Sequence, residues 1–150
     1  MKASQRLVAE IYLILLSTFA FVVHCAVAAE PLSDHDAIKE TIGHYFDGVR
    51  LSDRERLEKA FAVPVAHMKA YIKNASGTLQ ESSRPISEVI DEWVARDANP
   101  DLKGRILSIN IYSDVAAQAT FDFGGIYVDA FQLAKIDGVW LIVNKFYVDQ

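Results

Sequence analysis

The chain has 150 residues, 51% of them hydrophobic, and its 15 basic and 20 acidic side chains give a net charge of -5. It has no Lys/Arg run or basic stripe, which makes nucleic acid and anionic membrane surfaces poor partner candidates. The single cysteine, Cys25, lies near the N-terminus, so the rest of the chain offers no disulfide scaffold, thiolate zinc site or cysteine nucleophile.

The first predicted element is a leader. Lys2 and Arg6 form a basic start, Ile11 to Val23 is apolar apart from Ser17 and Thr18, and small residues follow at Ala26, Ala28 and Ala29. That layout predicts a secretory signal peptide over residues 1–29, cut after Ala28 or Ala29. The apolar run is shorter than the ~20 residues that span a bilayer. The expectation is therefore a periplasmic or secreted protein with no stable membrane insertion after cleavage. His24 and Val22 stand where a lipoprotein would carry a small residue and a leucine, so lipidation is not expected. Residues 30–150 form the expected single domain, since roughly 121 residues suffice for one core and not for two.

Helices come next. Ser33-x-x-Asp36 is a capping pair, and Ile38, Ile42, Tyr45, Phe46 and Val49 recur at helical spacing, which puts Tyr45 on the buried stripe. Ser52-x-x-Glu55 predicts the start of a short second helix ending near Phe61, closed by Pro64. The segment VAHMKAYIK reads as a short strand, and the polar stretch from Asn74 to Ser83 reads as a loop. Pro85 then suits the first turn of a third helix, with Ile86, Val89, Ile90, Trp93 and Val94 as its apolar face.

Residues 105–150 read as four consecutive antiparallel strands. Ser113-Asp114, Gly124-Gly125 and Asp137-Gly138 separate apolar runs, and each is taken as a two-residue turn of the kind that favours positive φ. Helices followed by such a meander predict an α+β domain, with three N-terminal helices packed on one face of a curved antiparallel sheet. In that register one face collects Gln118, Thr120, Asp122, Asp129, Phe131, Trp140, Asn144 and Phe146, a mixture typical of a ligand pocket. The other collects Ala119, Phe121, Val128 and Leu141, an aliphatic face expected to be covered by a second copy in a homodimer. A one-residue error in any turn exchanges the faces of a strand.

Asp129 sits beside Phe131 and Phe146 in this register, so it must be neutral, paired or solvated by a cavity. Tyr45 is either a pocket donor or a core tyrosine. Asp122 lies opposite Arg105, as a surface ion pair would. No HExxH, paired-histidine or clustered-carboxylate spacing occurs, and no phosphate loop or nucleophile elbow, so neither a metal nor a cofactor is expected.

The runs AIKETIGHYFDG and RLEKAF, the third helix, and above all DAFQLAKIDGVWLIVNK resemble the putative lumazine-binding proteins of the nuclear transport factor two-like superfamily. The resemblance covers nearly all of residues 30–150. It implies a cone-shaped domain with a cavity between sheet and helices, usually dimeric, in a superfamily that holds enzymes, binding modules and partner-recognition domains. Among the superfamily's ketosteroid isomerases an Asp base works beside a Tyr and a protonated Asp. The resemblance places Tyr45 and Asp129 at the latter two positions, but no carboxylate aligns with the base, and His67 is the nearest substitute.

Three functions follow as expectations. The first is an exported small-molecule-binding or accessory domain whose apolar cavity carries a few polar groups, with Tyr45, Asp129, Phe131, Trp140, Asn144 and Phe146 as ligand contacts and a small apolar or aromatic molecule as partner. The second is an isomerase or dehydratase using His67 as base with Tyr45 and Asp129 as donors. The third is a non-enzymatic protein-interaction domain.

Overall fold

The computed structural model describes residues 32–149. The predicted leader and its cleavage site lie outside the described residues. Helix α1 spans Asp34–Leu51 and α2 spans Arg54–Ala60, followed by strands β1 (His67–Lys73) and β2 (Leu79–Pro85). Helix α3 covers Ile86–Val94, and β3 (Arg105–Ile111), β4 (Ala116–Phe123), β5 (Tyr127–Ile136) and β6 (Val139–Asp149) complete the domain. The strands form one six-stranded sheet in the order β2-β1-β6-β5-β4-β3. All neighbours are antiparallel except β1 and β6.

The predicted helix stripes are the core. Ile38, Ile42 and Tyr45 of α1, Leu57 of α2, and Ile86, Val89, Ile90 and Trp93 of α3 are buried against the sheet. Each such aliphatic side chain contributes about 1.5–3 kcal/mol by leaving water. Ser33 caps α1 by accepting from the Asp36 N–H. The second capping residue is Asp53 rather than Ser52: Asp53 accepts from the Arg56 N–H. Ser52 instead ends α1 in the left-handed conformation, φ 56°.

Asn74–Ser83 is not all loop. Asn74 closes a tight turn by accepting from the N–H groups of Ser76 and Thr78, and the chain returns as β2, paired with β1. The sequence LQESSRP has no apolar alternation because most of its side chains face water at the sheet edge.

Two turns are longer than predicted, and this decides which face is which. Ile111 pairs with Ala117, so the β3–β4 connection closes around Ser113, Asp114 and Val115. Phe123 pairs with Tyr127, so Gly124, Gly125 and Ile126 make a three-residue loop in which both glycines have positive φ. The Asp137-Gly138 turn is the predicted two-residue turn, with Ile136 paired to Val139 and φ of 50° and 83°. The extra residue in the Gly124–Ile126 loop turns β4 over relative to β5. Ala117, Ala119, Phe121 and Phe123 therefore face the helices beside Asp129, Phe131 and Leu133.

A β-bulge flips the end of β6. Gln132 pairs with Asn144 but Leu133 pairs with Ile142, leaving Val143 as the extra residue. Trp140 and Ile142 point into the core as expected, and beyond the bulge it is Lys145 and Tyr147, not Asn144 and Phe146, that continue the helix-facing row. A second bulge at Leu107 restores the predicted Arg105–Asp122 pair, whose Nε and Oδ2 lie 3.2 Å apart.

Candidate functional site

The bulge brings a cation to a carboxylate. Asp129 Oδ1 accepts from Lys145 Nζ at 2.5 Å, and Asp129 Oδ2 accepts from the Tyr45 hydroxyl at 2.6 Å. Asp129 is 1% exposed and Lys145 4% exposed. Both oxygens of Asp129 are thus acceptors, so it serves as an ion-pair partner and not as the neutral donor that the isomerase resemblance implied. Isolated, either charge would be far too costly to bury; together, with the phenol completing the hydrogen bonds, they persist. Among the described residues no buried side-chain polar atom lacks a partner.

The three side chains are held by three elements. The helical stripe of α1 delivers Tyr45. Its ring packs on Phe131 at 5.2 Å between centroids and on Phe61 at 5.9 Å, edge to face in both cases. β5 presents Asp129 two residues before Phe131, as strand alternation requires. β6 presents Lys145, whose ammonium also lies 4.8 Å from the Tyr147 ring centroid and 5.7 Å from that of Tyr45. Burial pulls the Lys145 amine below the ordinary lysine range, opposed by the charge and hydrogen bond of Asp129. Burial, then the Asp129 charge, pushes the Tyr45 phenol well above its ordinary value.

Above this trio a cleft of about 140 Å³ opens to solvent. Tyr45 and Lys145 form its polar floor, and Val49 and Met68 supply aliphatic wall. Trp93, Phe123, Tyr127 and Tyr147 contribute aromatic surface, and Arg96 stands at the rim. Aromatic walls with a few convergent polar groups are the usual composition of a small-molecule site.

Of the predicted site residues, the structure joins Tyr45 and Asp129 and separates the others. Phe131 and Trp140 are fully buried core side chains that do not line the cleft. Asn144 and Phe146 lie on the opposite face, where Asn144 donates to Gln132 Oε1 at 3.2 Å. His67 is exposed, in register with Asn144, with its Nδ1 3.1 Å from the Val65 carbonyl oxygen. Its neighbour Met68 takes the cleft-facing position, so His67 cannot act as a base on anything held by Tyr45 and Asp129. The expected dimer patch is also divided: Ala119 and Phe121 are buried beneath the helices, while Val128 and Leu141 are on the uncovered face. Among the described residues no group of three His, Cys, Asp or Glu side chains could hold a metal ion.

Three helices on one face of a six-stranded, mostly antiparallel open sheet, with a cleft between them, define a nuclear transport factor two-like α+β cone fold. Within that class the chain belongs to the putative lumazine-binding family, whose model matches residues 33–148. It is similar to a nuclear transport factor two-like protein of unknown function from Shewanella baltica OS155, 26% identical over 77% of this chain and 93% of that one, TM-score 0.65. A second such protein, from Methylobacillus flagellatus KT, is 25% identical over 80% of this chain and 94% of that one, TM-score 0.65. A ketosteroid isomerase-like protein from Erwinia carotovora atroseptica shares the fold at 12% identity, covering 76% of this chain and 94% of that one, TM-score 0.54. No curated protein matches the chain.

Proposed function

We propose that this domain is an exported binding module that holds one small, largely apolar molecule in the cleft above Lys145. The observation that carries the reading is the cleft itself: aromatic walls around a floor whose only charges are a matched, buried pair. Membership of a family described as lumazine-binding agrees with a ligand-binding role. An apolar cavity of ~150 Å³ accommodates one benzene, so a space of about 140 Å³ suits a single planar ring system and not a steroid. The exposed His67 removes the base on which the isomerase reading depended. Export rests on the sequence pattern of residues 1–29 alone, and N-terminal sequencing of protein from the native host should find Ala29 or Glu30 first.

A homodimer through the uncovered sheet face is part of the proposal. Val128 and Val148 pair there beside Ala130 and Phe146, and Val148 is 44% exposed. Val128→Lys should then convert a dimer to monomer in sedimentation, and a wild-type monomer would rule the dimer out.

The ligand reading is tested by native mass spectrometry of protein purified from its host. The expected result is a bound mass that is released on denaturation and is lost when Met68→Trp fills the cleft. A mass retained by Met68→Trp, or protein that carries nothing and takes up nothing from a host extract, would overturn it.

A further inference from the structure

The charges around the cleft are not balanced. Its floor is neutral as a unit, because Lys145 and Asp129 cancel and Tyr45 occupies the remaining Asp129 oxygen. Its rim is not. Arg96 follows α3 and lines the cleft, and Glu92, one turn earlier, is committed elsewhere: its two oxygens accept from the Arg84 guanidinium at 2.6 and 2.9 Å. Among the described residues no carboxylate forms a direct ion pair with Arg96, and Glu92 acts on it only through a weaker electrostatic attraction, after Arg84. Its backbone is nevertheless fixed, since its carbonyl accepts from Ser52 Oγ at 2.8 Å, tying the end of α3 to the corner between α1 and α2.

A guanidinium fork stands at the mouth, a buried ammonium lies at the base, and no acidic side chain lines the space. A cation entering the cleft would meet the like charge of Arg96 over a floor that is neutral as a unit. A neutral molecule would leave the fork facing water. An anion could be met by Arg96 in two parallel hydrogen bonds, while its body lay against Trp93, Phe123 and Tyr127. Resting on the cleft as the binding site, we infer that the ligand class is a compact aromatic carboxylate, with its ring among these three side chains and its carboxylate on Arg96.

The test uses calorimetric titration of the full domain with benzoate, neutral benzamide and cationic benzylamine. Benzoate should bind saturably and about tenfold or more tighter than benzamide, the increment that one charge-assisted pair supplies. That advantage should shrink as salt is raised. Arg96→Gln, at an exposed position, should abolish the preference of benzoate over benzamide. Equal or tighter binding of benzamide or benzylamine would overturn the inference, as would unchanged benzoate affinity in Arg96→Gln. If none of the three binds while the host-derived mass still requires an open cleft, the aromatic-acid class is wrong and the cleft remains the site.

Discussion

The domain builds a similar trio twice, an aspartate that accepts from a lysine and from an aromatic side chain, at opposite ends of β5 and β6. Near the cleft, Asp129 accepts from the Tyr45 hydroxyl and from Lys145; near the Asp137 turn, Asp34 accepts from the Trp140 indole N–H at 2.9 Å and from Lys135 at 2.7 Å. In both, the lysine also lies over an aromatic ring. They differ in burial: the side chains of Lys145 and Asp129 are 5% and 1% exposed, those of Lys135 and Asp34 30% and 35%. Water can solvate either partner of the outer pair if the other is lost, so that pair contributes little and is screened by salt. The inner pair has no such recourse. Similar chemistry is a surface latch in one place and an obligatory feature of the core in the other.

The sharpest way to break the comparison is to remove each lysine. Lys145→Met leaves the Asp129 charge buried with Tyr45 alone and should cost about 3–5 kcal/mol in urea unfolding, whereas Lys135→Met should leave the midpoint nearly unchanged. Replacing both inner partners, Asp129→Leu with Lys145→Met, should recover most of that loss, since paired removal leaves no orphan charge. A double variant as unstable as the single would show that packing, not charge, is what Lys145 provides.

A smaller effect is expected from Tyr45→Phe. It keeps the ring contacts with Phe131 and Phe61 but strips a donor from a buried carboxylate oxygen. The expected cost is about 1–3 kcal/mol in the same assay. A neutral result would mean that water replaces the phenol.

Alkaline pH sharpens the contrast further. Burial lowers the proton affinity of Lys145 in the folded state, so between its lowered value and the ordinary ~10.4 the unfolded chain holds more protons. Stability of the wild type should therefore rise with pH across that window relative to the Asp129→Leu, Lys145→Met double variant, followed by denaturant titration at stepped pH. A fall in the same window would mean that the pair holds its proton more tightly folded than unfolded.

The smallest effect is at the outer trio and at acid pH. The Lys135 hydrogen bond, then that of Trp140, holds the Asp34 carboxyl below its ordinary value. Its contribution is present above the unfolded value near ~4 and is lost as pH falls through the lower folded value. Asp34→Asn should slightly lower the melting temperature at neutral pH, with the difference closing as the pH drops below that of an ordinary aspartate. A difference that persists there would implicate the side-chain shape and not the charge.

The sequence made two members of the inner trio legible. Tyr45 and Asp129 could be found because helical spacing and strand alternation are local signals, and each put its residue on the inner face. Lys145 could not, because its orientation depends on the bulge at Val143, which leaves no mark in VWLIVNKFYV beyond the oddity of a lysine in an apolar strand. That oddity, next to an aspartate on the neighbouring strand, was the available clue. Reading a two-residue turn at Gly124-Gly125 turned β4 over and promoted Gln118, Thr120 and Asp122 to a pocket they do not line. Asn144 and Phe146 were misplaced by the same arithmetic without the bulge. Trp93 reaches the cleft from α3 and Arg96 from just beyond its end, and a helix meeting a sheet across the cleft is a tertiary fact that no local spacing encodes.

The most direct test of the cleft as the binding site comes from methionine. The sequence has two, Met1 and Met68, and Met68 lines the cleft. In protein labelled with ¹³C at the methionine methyl, titration with benzoate, benzamide and benzylamine should shift the Met68 resonance saturably for at least one of the three. A Met68 signal that stays fixed while backbone amides of the uncovered face, around Val128 and Phe146, shift saturably would contradict the cleft and move the site to the other side of the sheet.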